Sequence, residues 1–79
     1  MNAAELDGAL RAVVARHVDI EPDLLGGDTD LDTLIDDATA IAVLVDVENI
    51  LDVRFPDDFF DGLHTYGELS TAIRVAVGV

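Results

Sequence analysis

The stretch from Asp36 to Leu51 is the longest run in the chain that can hold a helix, and the rest must pack around it. Ala40, Ile41, Leu44, Val47 and Leu51 recur at spacings of three and four, which puts them on one face of a 3.6-residue helix. Two adjacent carboxylates open the run. Asp36 is suited to the N-cap, where its oxygen can accept unpaired backbone N–H groups of the first turn. Asp37 beside it is favoured by the positive end of the helix dipole. The opposite face is expected to show Thr39, Ala42, Val45, Asp46, Glu48 and Asn49 to solvent.

A second helix is expected upstream. Asn2 and Glu5 form a capping box, and Leu6, Ala9, Leu10, Val13 and Val14 make its apolar stripe. His17 falls near its C-terminus, where an imidazolium is favoured by the dipole, and the role expected for it is structural. Pro22 disfavours helical geometry at Glu21, so this helix should stop by Asp19. Residues 20–35 then read as a long loop that pins Ile20, Leu24, Leu25, Leu31 and Leu34 onto a core. Gly26-Gly27 breaks it, and Asp28, Thr29, Asp30 and Asp32 solvate it.

After Leu51 the chain turns at Asp52-Val53-Arg54-Phe55-Pro56-Asp57, with Phe55 expected to bury and Pro56 fixing direction. Asp57–Leu63 is too short for an independent helix, and a single helical turn held by Phe59, Phe60 or Leu63 is expected. Thr65 and Glu68 form a second capping box, and Leu69, Ala72, Ile73, Ala76 and Val77 stripe a last helix. These segments predict one all-α domain over residues 1–79, a small four-helix bundle with a long first loop and a short third helix.

Composition narrows the function. At 79 residues there is room for one small core, and with four aromatic residues and no Trp, Ala, Val and Leu must fill it. With no cysteine there is no disulfide, thiol nucleophile or Cys-ligated zinc. The N-terminal residues lack a basic and an apolar region, so no signal peptide is read, and no apolar run approaches a bilayer span. A cytoplasmic location is expected. Seventeen acids face four basic residues, all arginine, for a net charge of −13. Such a surface repels nucleic acid and anionic membrane and steers toward basic patches on protein partners.

Three sets of residues, in order, resemble the acyl and peptidyl carrier proteins. They are Thr29-Asp30-Leu31 with Asp36-Asp37-Ala38, then Val53-Arg54-Phe55-Pro56, then Leu63-His64-Thr65-Tyr66-Gly67-Glu68-Leu69. The family opens its second helix with Asp-Ser followed by Leu, Met or Ile, places a hydrophobic-Pro-Asp turn after that helix, and enters its last helix through hydrophobic-x-Thr-hydrophobic-Gly-Asp-Leu. Aligning Pro56-Asp57 with the family's turn puts its modified serine at Asp37 and its aspartate at Asp36. The resemblance implies a four-helix carrier fold and, through Thr39, Ala42, Val45, Asp46 and Glu48, docking onto biosynthetic enzymes with basic patches. Ala42 and Val45 make that face more apolar than the family pattern.

The family's serine hydroxyl is attached to a phosphopantetheine arm, and Asp37 cannot replace it. A carboxylate attacking phosphorus would give a hydrolysable acyl phosphate. Thr33 precedes the helix, Thr39 is rotated about 200° around it, and Ser70, in the last helix, is the only serine. No bound cofactor is therefore expected; 4′-phosphopantetheine would require serine at 37. No nucleophile–base pair is visible, so no catalytic residue or enzymatic activity is expected. The expected protein is an unloaded, monomeric pseudo-carrier of polyketide, fatty-acid or nonribosomal-peptide synthesis. An engineered Ser→Asp carrier is an alternative. Ala38, where the family has Leu, Met or Ile, favours a natural divergent member. Another class is an acidic calcium or adaptor module, since Asp28-x-Asp30-x-Asp32 has the spacing that starts a calcium loop. Thr33 stands where that loop needs glycine and Thr39 where it needs a bidentate acid, so no metal site is expected.

Overall fold

Local capping fixes where each helix begins in a computed structural model, which describes residues 2–79. Met1, the first residue of the expected 1–79 domain, lies outside them. Helix α1 (Ala3–Val18) starts at Asn2, whose side chain accepts from the Glu5 N–H at 2.8 Å while Glu5 accepts from the Asn2 N–H at 3.2 Å. Helix α2 (Asp37–Leu51) is capped by Asp36, and α3 (Tyr66–Val77) by a Thr65–Glu68 capping box. Helices α1 and α2 end on aspartates in the left-handed conformation, Asp19 at φ 58° and Asp52 at φ 55°. Pro22–Leu24 adds one 3-10 turn.

Three α-helices are present among the described residues, so the short third helix of the expected bundle is corrected. Residues 56–63 instead form successive turns, closed by Phe59 N–H to Pro56 O (3.0 Å), Asp61 N–H to Asp58 O (2.9 Å) and Leu63 N–H to Phe60 O (3.0 Å). Each bond spans three residues, and a segment this short does not recover the cost of helix nucleation. Phe55 is half-buried rather than buried, and its ring meets that of Phe59 at 4.5 Å between centroids.

Helix α1 is the central element. It packs against α2 and α3, while no Cα of α2 comes within 8 Å of a Cα of α3. The core joins Leu6, Leu10, Val13 and Val14 of α1 to Val43 and Val47 of α2 and Tyr66, Leu69 and Ile73 of α3. A radius of gyration of 11.2 Å against about 11.6 Å for a compact chain of this length marks one packed body. No helix among the described residues is long and apolar enough to cross a membrane.

Two expectations about burial change. Ile41, placed on the inward stripe of the second helix, is 61% exposed, and Val43 at 0% takes its place. Ala40, Leu44, Val47 and Leu51 fit either register, and contact with α1 selects the one that includes Val43. In the long loop Leu25 and Leu31 are buried and Ile20 is half-buried, but Leu24 and Leu34 are exposed.

The loop is anchored through its backbone to the entry of α3. Leu31 N–H donates to His64 O (2.8 Å), Tyr66 N–H to Thr29 O (3.0 Å) and Gly67 N–H to Gly27 O (2.8 Å), around an antiparallel bridge between Asp30 and Thr65. A Cβ at Gly67 would sit 2.6 Å from Gly27 O. Only glycine permits that approach.

Candidate functional site at the start of α2

Asp36 and Asp37 occupy the places expected of them. The Asp36 carboxylate accepts from the Thr39 N–H at 2.8 Å. That backbone bond, helped by the Thr39 side chain, holds the Asp36 carboxyl below the usual carboxylate range. Asp37 is the first helical residue and is exposed. Neither nearby hydroxyl takes over its position. Thr33 Oγ1 points to Asp30 O at 3.4 Å, and Thr39 is half-buried in the first turn of α2. Ser70 is buried on α3, with its hydroxyl donating to Asp7 Oδ1 at 3.4 Å.

The outer face of α2 departs from a stripe of free acids. Asp46 Oδ2 accepts from Arg16 Nη2 at 2.9 Å and lies 2.6 Å from His17 Nε2, fastening α2 to the last turn of α1. The His17 bond, then the Arg16 bond, holds the Asp46 carboxyl low. Glu48 Oε2 accepts from the Phe55 N–H at 2.7 Å and so ties α2 to the following turn. Thr39 and Ala42 are half-buried. Of the docking residues expected from sequence, Val45 is the exposed apolar one, at 47%. Ile41, one turn nearer the N-terminus, joins it on the same face.

A groove of about 300 Å³ runs between the N-terminal half of α2 and the turns after Pro56. Ile41, Leu44 and Phe60 line it with apolar surface, and Asp37, Asp57 and Asp61 add carboxylates. The contribution of Asp57 and Asp61 was not legible in the periodicity of α2, because these residues lie beyond the end of that helix.

The three acids of the calcium-like spacing are held apart. Asp30 Oδ1 accepts from the Asp32 N–H at 2.9 Å, and Asp32 Oδ2 faces His64 Nδ1 at 2.9 Å. Among the described residues no three His, Asp or Glu side chains are grouped to hold a metal ion.

A polar cluster inside the fold escaped sequence reasoning. Asp7 accepts from Arg11 Nε (2.8 Å), from the Tyr66 hydroxyl (2.8 Å) and from Ser70. Arg11 also donates to Leu25 O, and its guanidinium lies 4.9 Å from the Tyr66 ring centroid. Burial alone would raise the Asp7 carboxyl, but the Arg11 and Tyr66 bonds outweigh it and hold it below the usual range. Burial, reinforced by the Asp7 carboxylate, pushes the Tyr66 phenol up. The i,i+4 spacing of Asp7 and Arg11 was the one signal available.

Comparison with protein-family models, with curated proteins and with solved structures gave no match for this chain.

Proposed function

We propose that this chain is a carrier-protein-like module that works by docking onto partner enzymes and bears no pantetheine arm. The observation that carries the reading is Asp37, an exposed carboxylate on the first residue of α2, where the resembled family has its modified serine. The pinned first loop, the turn at Pro56 and the Thr65–Gly67 entry into α3 support it, because they follow in the family's order. The family's four-helix form belongs to this reading, with the turns over 57–62 in place of its short third helix. The module is a non-enzymatic, cytoplasmic monomer of polyketide, fatty-acid or nonribosomal-peptide synthesis, and its partners present basic patches.

Incubation with coenzyme A and a promiscuous pantetheinyl transferase, followed by intact mass measurement, tests the reading. The wild-type chain should keep its mass and Asp37→Ser should gain one phosphopantetheine. An arm on the wild-type chain, or an Asp37→Ser variant that folds yet stays unmodified, would overturn it.

A further inference from the structure

We infer that the groove between α2 and the turns after Pro56 is a socket for an arginine side chain of a partner protein. The inference rests on the docking reading above and moves the main contact away from the middle of α2. Asp46 is occupied by Arg16 and His17, and Glu48 by the Phe55 amide, so neither offers a free carboxylate to an incoming cation. The groove lies at the other end of the exposed face. Ile41, Leu44 and Phe60 give it apolar surface, and Asp37, Asp57 and Asp61 give it carboxylates from two separate segments. Each of these three carboxylates is free of hydrogen bonds and ion pairs to the other described residues. Ile41 is exposed although apolar, and Val45 continues its surface along α2.

An aliphatic stem with a cationic head matches that arrangement of apolar lining and acids. Arginine fits better than lysine, because its planar fork can meet two carboxylates at once and its weaker hydration lowers the cost of leaving water. The net charge of −13 draws such a partner in from a distance, and the groove fixes where it lands.

The test uses a short helical peptide with leucines on one face, arginines beside them and a single tryptophan. The protein has no tryptophan, so the peptide's fluorescence reports binding without background. Asp57→Asn with Asp61→Asn should weaken binding roughly tenfold, as expected for the loss of two modest ion pairs. Asp23→Asn with Asp28→Asn removes the same charge from the exposed loop and should change affinity less than about twofold. Ile41→Ser, at an exposed position that leaves the core intact, should weaken binding, and arginine-to-lysine replacement in the peptide should do the same. Equal losses from the two aspartate pairs would mean diffuse attraction and overturn the socket. Full affinity in Ile41→Ser, or for the lysine peptide, would overturn it as well. Transferase modification is read separately, so a failed socket with a successful Asp37→Ser loading leaves the carrier reading standing.

Discussion

Replacing Asp7 by alanine, and Tyr66 by phenylalanine, measures the polar cluster that joins α1 to α3. Tyr66 is 1% exposed and its hydroxyl donates to Asp7 Oδ1 at 2.8 Å. Hydrogen bonds to charged groups contribute about 1.5–3 kcal/mol. The Asp7 side chain is one-third exposed, at 33%, so water can partly replace a lost donor and the lower part of that range applies. Tyr66→Phe should therefore destabilise by about 1–1.5 kcal/mol. Asp7→Ala removes the acceptor of Arg11, Tyr66 and Ser70 together, leaving the phenol a 3.4 Å contact with the Asp7 carbonyl. It should destabilise by about 2–3 kcal/mol, since unpaired polar groups then remain inside. Against a total of roughly 4–12 kcal/mol for a domain this size, that is a large share. In the double variant the lost bond is counted once, so the effects should fall short of additivity by about 1 kcal/mol. Urea unfolding followed by circular dichroism gives all three values. Additivity within about 0.5 kcal/mol would refute the claim that Asp7 and Tyr66 act as a unit.

Gly67→Ala drives a Cβ to within 2.6 Å of Gly27 O and should cost about 1–3 kcal/mol, seen as a fall in Tm and as lost hydrogen-exchange protection at Tyr66 and Gly67. Asp52→Gly relieves a left-handed aspartate at φ 55° and removes a negative charge from the negative end of α2. It should raise stability by about 0.5 kcal/mol, with Asp52→Ala as the destabilising control. Asp7, Asp36, Asp46 and Glu68 all have carboxyls held below their ordinary values by partners in the fold. The stability they contribute is present above their unfolded values and is lost as pH falls through the lower folded ones. Denaturant midpoints taken below about pH 4 should therefore drop more steeply for the wild type than for Asp7→Asn with Asp46→Asn.

The helices were legible because capping is local. Asn2 with Glu5, Asp36 with Thr39 and Thr65 with Glu68 each act across three residues, and a sequence displays that spacing directly. The end of α1 at Val18 was equally readable from Pro22. The turns over 56–63 stood at the margin, since whether so few residues complete a helix depends on what they pack against.

The surface was not legible. The spacing of apolar residues in α2 suits an inward Ile41 as well as an inward Val43, and only the position of α1 decides between them. Asp46 reads as a free acid until the fold brings Arg16 and His17, thirty and twenty-nine residues away, to its oxygen. The Asp7–Tyr66 bond spans fifty-nine residues, and Asp57 and Asp61 reach the groove from beyond the end of α2. Sequence by itself determined where the helices begin, because those interactions close within one turn. Tertiary structure decided which side chains remain free to meet another molecule, because that depends on partners that only folding brings near.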